Sequence, residues 1–155
     1  GVEKKIAEIS NVRIVVFVGW GTLPRMVKAF DYLSRNEDCQ NVLIFRFYTH
    51  EDPSADLNIH RNIQILRELH PTLKIEYQAR KGEFSPDSVE ALSKELDVPR
   101  NLMFMGALTQ TLPFSLQDLG GVRIFGNFLK LPIKDCSMVI AHPAADQSCL
   151  LALFT

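Results

Sequence analysis

The sequence predicts an α/β protein, a three-layer α/β/α sandwich around a parallel five-stranded sheet. Three observations predict it. Val12 to Val18 (VRIVVFV) and Asn41 to Tyr48 (NVLIFRFY) are strand-length, nearly continuous apolar runs, as strands covered on both faces must be. Segments with apolar residues at helical spacing follow each of them. Proline and glycine fall at the junctions between segments, so nothing reads as a linker, and no internal repeat is present. Strands and helices that alternate in this way imply parallel strands joined by right-handed crossovers, here in the order β-α-β-α-β-α-β-(α)-β.

The first strand ends at Val18 and is broken by Gly19-Trp20-Gly21-Thr22, with Thr22 placed to cap a helix and Pro24 near its first position. Leu23, Met26, Val27, Phe30 and Leu33 give that helix its apolar stripe. After the second strand, His50-Glu51-Asp52-Pro53-Ser54 reads as polar loop. A second helix carries Ala55, Ile59, Ile63, Leu66 and Leu69 on one stripe and is stopped by Pro71. Leu73 to Gln78 alternates as a third strand. Ser85 caps a third helix with Pro86 in its first turn, and Val89, Leu92 and Leu96 face inward. Leu102 to Met105 is a fourth strand, Pro113 to Leu119 a loop or short helix, and Met138 to Ala141 the fifth strand.

The 155 residues suit one domain, large enough to bury a core without disulfides or metal. A net charge of −1 advertises no phosphate-seeking surface, and basic residues are scattered among acids with no aromatic interleaving, so nucleic acid is not an expected partner. The apolar runs are strand-sized, too short to cross a bilayer, so this domain is not expected to insert in a membrane. Cys39, Cys136 and Cys149 are odd in number with no CxxC spacing, which fits reduced thiols. Gly1 ahead of Val2-Glu3-Lys4-Lys5 reads as the remnant of a removed tag, with no signal peptide behind it.

Two resemblances add to this pattern. Lys81-Gly82-Glu83-Phe84-Ser85-Pro86-Asp87-Ser88-Val89, continued through Leu102-Met103-Phe104-Met105-Gly106, resembles the third strand, third helix and fourth strand of the universal stress protein fold, which is Rossmann-like. A narrower resemblance is to the C-terminal cytosolic region of CHX-type monovalent cation/proton antiporters of plants and fungi. Arg13-Ile14 to Val18-Gly19, then a helix, then Ile44-Phe45-Arg46-Phe47 looks like their first β-α-β unit, whose second strand is "IRF"-like. Asp118-Leu119-Gly120, Gly126-Asn127-Phe128-Leu129 and Ser137-Met138-Val139-Ile140 look like their closing "ELG…GDLL…SVLVV" string. Residues Gly121 to Phe125 widen the usual gap, and Trp20 interrupts the expected glycine pair, so a related transporter family with this fold is also compatible.

Nucleotide-binding universal stress proteins carry an Asp at the end of the first strand and a G-x2-G-x9-G-[ST] phosphate loop. Here the first strand ends in Val18-Gly19; after Gly106, Thr109 stands at the second loop position. Gly120 falls one residue late, and Gly121 replaces the hydroxyl residue. A side chain at Thr109 obstructs the approach of backbone to phosphate. The resemblance therefore implies no cofactor and no ATP.

Gly19, Trp20, Gly21 and Thr22 lie at the carboxyl end of a strand and open a helix, the place where α/β sheets bind anions. With Gly106 and Thr109 they form the candidate ligand set; a tight turn that needs glycines, with Trp20 packed on a neighbour, is the simpler reading, and no phosphate-binding Lys follows. His50, Glu51 and Asp52 read as a solvated loop, or as a group that senses pH or holds metal. Asp56 and His60 are spaced four apart as in some zinc sites, but no third ligand has recognisable spacing, so a surface pair is the simpler reading. No nucleophile elbow and no recognisable acid-base carboxylate pair is present, so the chain is not expected to be an enzyme.

The expectation is one domain over residues 1–155, cut from a larger membrane protein: a non-catalytic regulatory domain on the cytoplasmic face of a membrane, serving a K+ or Na+/proton antiporter. Its partners would be its own transmembrane transport domain and a second copy. The dimer contact would be Ser137, Met138, Val139, Ile140 and Ala141, a strand without charge or proline to blunt its edge, closed by His142, which titrates near neutrality when exposed. The alternative is a free-standing, universal stress protein-like nucleotide-binding protein.

Overall fold

A computed structural model describes residues 13–19, 21–106 and 112–125. Their strands form a five-stranded sheet in the order β3-β2-β1-β4-β5, parallel in the β1–β2, β2–β3 and β4–β5 pairings. This is the α/β sandwich that the alternating pattern predicts. The chain divides into two compact units, Gly1–Glu83 and Phe84–Thr155.

The first unit holds β1 (Arg13–Phe17), α1 (Leu23–Asn36), β2 (Asn41–Tyr48), α2 (Pro53–Leu69) and β3 (Lys74–Lys81). β1 lies in register with β2 from Arg13↔Asn41 to Phe17↔Phe45, and β2 with β3 from Asn41↔Lys74 to Tyr48↔Lys81. Val15, Ile44 and Phe45 are fully buried and Phe17 is 7% exposed, as the two unbroken apolar runs require. α1 buries Met26, Ala29, Phe30 and Leu33; α2 buries Ala55, Ile59, Asn62, Ile63 and Leu66 along one stripe.

Two boundaries differ from the sequence reading. α2 begins at Pro53 rather than after Ser54, because the Asp52 carboxylate accepts from the amides of Ser54 (3.1 Å) and Ala55 (3.2 Å) while Pro53 supplies a first-turn residue that needs no acceptor. β3 runs on past Gln78 to Lys81, because Ala79, Arg80 and Lys81 find partners in Arg46, Phe47 and Tyr48.

The second unit holds α3 (Pro86–Leu96), a 3-10 turn at Arg100–Leu102, β4 (Met103–Met105), a second 3-10 turn at Leu116–Leu119 and β5 (Arg123–Ile124). Ser85 caps α3 as expected, its hydroxyl accepting from the Ser88 amide at 3.1 Å. The second 3-10 turn is held by a capping box: Gln117 N donates to Ser115 Oγ (3.2 Å) and Ser115 N to Asp118 Oδ2 (3.1 Å). The strand paired with β4 is Arg123–Ile124, in the Gly121-to-Phe125 stretch that the sequence reading treated as a widened gap. Met138 to Ala141, expected as the fifth strand, lies outside the described residues.

Phe104 is 1% exposed, stacks on Phe125 with centroids 5.2 Å apart, and has the Arg123 guanidinium carbon 4.3 Å above its ring. Removing this ring leaves a cavity and strips both neighbours of their packing partner. Phe104→Ala should therefore destabilise the fold by about 3–5 kcal/mol in chemical denaturation. A loss near 1 kcal/mol would show that the site collapses freely.

Candidate functional site

The turn from β1 into α1 is where the sequence placed a ligand, and its two glycines behave differently. Gly19 is exposed, and a Cβ added to it would meet nothing within 4 Å. Gly21 is buried at φ +64°, and an added Cβ would stand 2.6 Å from Ile59 Cγ1, with Ile59 Cδ1 and Met26 Sδ also in contact. Its carbonyl accepts from Asn62 Nδ2 at 2.7 Å, and Asn62 is only 5% exposed. Gly21 is thus glycine so that α2 can press Ile59 against its backbone, and the carbonyl that leaves the sheet has a buried donor of its own.

Thr22 takes the cap position of α1 in extended conformation, and its carbonyl accepts from Met26 N at 3.1 Å. Its hydroxyl makes no capping bond. Trp20 lies outside the described residues. Within the first unit, then, the turn is closed on its Gly21 side and open on its Gly19 and Thr22 side.

In the second unit, Gly106 follows β4 with open space at its Cβ position, and Thr109 lies outside the described residues. Gly120, at φ +68°, ends the second 3-10 turn; a Cβ there would run into the guanidinium of Arg100. The glycine that falls late for a phosphate loop thus closes a turn beneath an arginine. Ser137, Met138, Val139, Ile140, Ala141 and His142, expected at a dimer contact, lie outside the described residues.

A polar cluster that the sequence reading did not assemble sits near the carboxyl end of β2, the same end of the sheet as the β1 turn. Side chains alternate along the strand, so Ile44, Arg46 and Tyr48 face α2. Arg46 is 6% exposed in an otherwise apolar run. Its Nη2 donates to Asp56 Oδ1 at 2.8 Å and its Nε to the Tyr77 hydroxyl at 3.0 Å, while its guanidinium carbon lies 5.1 Å from the Tyr48 ring centroid. Tyr77 donates its own proton to the same Asp56 oxygen at 2.5 Å. The Tyr77 and Arg46 hydrogen bonds hold the Asp56 carboxyl below its ordinary range. Burial, with the bond to Asp56, pushes the Tyr77 phenol up to about 12.

His60, paired with Asp56 in the sequence reading as a surface pair or partial zinc site, packs edge-on against Tyr77 with centroids 5.1 Å apart. Among the described residues no group of three His, Cys, Asp or Glu is placed to hold a metal ion. His50 and Glu51 are exposed, and Asp52 is spent on capping α2, with the Ser54 hydroxyl foremost in lowering its pKa. Burial, with Asp38 nearby, pushes the Cys39 thiol up, which keeps it in the unreactive thiol form. The signal for the cluster was present in the sequence: an arginine inside an apolar strand needs a carboxylate within reach, and α2 offers Asp56 in its first turn.

No family model, no curated protein and no solved structure matches this chain.

Two outcomes test these assignments. Gly21→Ala combines a left-handed backbone with an overlap on Ile59 and should cost about 2–4 kcal/mol in urea unfolding, whereas Gly19→Ala should be nearly silent. For the cluster, the low folded pKa of Asp56 means that its contribution is present at neutral pH and lost as pH falls below about 4. The raised pKa of Tyr77 means that its contribution is whole below pH 10 and lost as pH climbs toward 12. The stability gap between wild type and Tyr77→Phe should close across that alkaline window; a gap unchanged from pH 9 to 12 would show that the phenol is unperturbed.

Proposed function

We propose that this chain is a non-catalytic regulatory domain on the cytosolic side of a membrane monovalent cation (K+ or Na+)/proton antiporter or a related transporter. It moves no ions itself. It acts on its own transmembrane transport domain and by self-association, and it takes no nucleotide cofactor. The single observation that carries this reading is the filled turn after β1. Ile59 occupies the space beside Gly21, and Asn62 takes the carbonyl, so the glycine serves helix packing rather than the approach of a phosphate. The close approach of the Arg100 guanidinium to Gly120 supports the same reading in the second unit. The motif string from Asp118-Leu119-Gly120 through Ser137-Met138-Val139-Ile140 supplies the transporter half of the proposal. No helix among the described residues is long and apolar enough to cross a membrane, so the transport path in this reading belongs to another part of the protein.

One observation favours the alternative of a free-standing nucleotide binder: the uncapped Thr22 and open Gly19 leave one side of the α1 N-terminus accessible. Two measurements separate the readings. Calorimetric titration with ATP should show no binding, and micromolar affinity would promote the alternative. Reading the transcript upstream of the Gly1 codon should reveal a series of apolar stretches of about 20 residues each. An in-frame stop close upstream would sink the transporter assignment.

A further inference from the structure

We propose that β3 is a self-association edge, on which a second copy of this chain adds its own β3 antiparallel about a two-fold axis at Gln78. Among the described residues β3 ends the sheet, with β2 its only neighbour. Its backbone polarity is fixed by the bonds at its ends: Lys74 N donates to Gln40 O and Gly82 N to Tyr48 O. Even-numbered positions therefore turn their amides toward β2. Alternation leaves the N–H and C=O groups of Tyr77, Ala79 and Lys81 and the Ile75 N–H directed outward, while the outward Ile75 carbonyl already accepts from Arg67 Nη2 at 2.7 Å. No proline interrupts the strand.

Charges on an exposed edge ordinarily discourage pairing, and their arrangement decides whether they do so here. With the axis at Gln78, the outward amides of Tyr77 and Ala79 exchange bonds with their symmetry mates, and the Ile75 N–H of each copy donates to the Lys81 carbonyl of the other. The even positions then form the pairs without hydrogen bonds, where side chains approach most closely. In that register Glu76 of each copy stands opposite Arg80 of the other, so the contact carries two opposite-charge pairs related by the axis. Shifting the axis to Tyr77 sets Lys74 against Arg80, like against like. The charges thus favour the Gln78 register over the Tyr77 one. Glu76 is exposed and has a lysine, Lys74, at 3.4 Å, a solvent-facing pair that holds it weakly. Arg80 lies over the Phe45 ring, 5.3 Å from its centroid, on the same face as Glu76. Pairing of this kind gives the domain a dimer independent of what it regulates, and so goes beyond the transporter reading.

The test is sedimentation velocity on the full chain at tens of micromolar. Wild type should be a dimer. Glu76→Lys should be a folded monomer, because it turns both attractive pairs repulsive and weakens association by roughly tenfold or more. Arg80→Glu should do the same, and mixing the two variants should restore a dimer, because each then supplies the sign that the other lacks. Ala79→Pro removes an outward amide without touching the β2 ladder and should also be a folded monomer, which keeps the test decisive if Arg80→Glu fails to fold. A monomeric wild type overturns the proposal. So does a dimer that survives both Glu76→Lys and Ala79→Pro, including one that Val139→Lys dissociates instead.

Discussion

The buried Arg46 side chain near the carboxyl end of β2, 7% exposed, is the constraint from which much of the first unit follows. Left unpaired, Arg46 would cost several kcal/mol, so the fold must bring a carboxylate and a further acceptor to the same point. Asp56 comes from α2 and the Tyr77 hydroxyl from β3, and the two are themselves bonded through one carboxylate oxygen. Three elements separated in sequence are thereby fixed in rotation and register as well as in contact. A slip of β3 by one residue would carry Tyr77 to the opposite face and leave the arginine short of a partner. Hydrocarbon packing alone tolerates such slips more readily than a buried arginine tied to two partners does.

α2 is the element that converts this constraint into a site. One helix face supplies Asp56 to the arginine, Ile59 to the space beside Gly21 and Asn62 to the Gly21 carbonyl. These residues fall three apart in turn, so positioning the helix for any one of them positions it for the others. The turn at the carboxyl end of β1, which in α/β proteins is the usual place for an anion, is therefore braced from behind by the protein's own side chains. The second unit uses glycine in a comparable way: Gly120 adopts a left-handed turn under the Arg100 guanidinium. In both places the glycine admits a neighbouring side chain.

The edges of the sheet carry the remaining functional content. β3 offers an eight-residue edge with its charges distributed symmetrically about Gln78, whereas β5 spans two residues and offers little ladder to a partner. Association by backbone pairing needs length and a register that side chains can enforce, and among the described strands β3 has both.

What the sequence determined by itself is the set of elements and their buried faces. The runs at Val12 to Val18 and Asn41 to Tyr48, the stripes on α1 and α2 and the Ser85-Pro86 helix start are local signals, because strand and helix period and cap chemistry depend on residues a few positions apart. The parallel α/β class follows from the order of those signals. The early start of α2 at Asp52-Pro53 was also written locally. β5 was not, since two residues carry no period. Only the tertiary structure decided that Arg46, Asp56 and Tyr77 meet, that Ile59 and Asn62 fill the Gly21 turn, and that Arg100 sits over Gly120. Each of these joins residues from separate elements through strand register and helix rotation, quantities fixed by packing across the core rather than by any residue's neighbours in the chain.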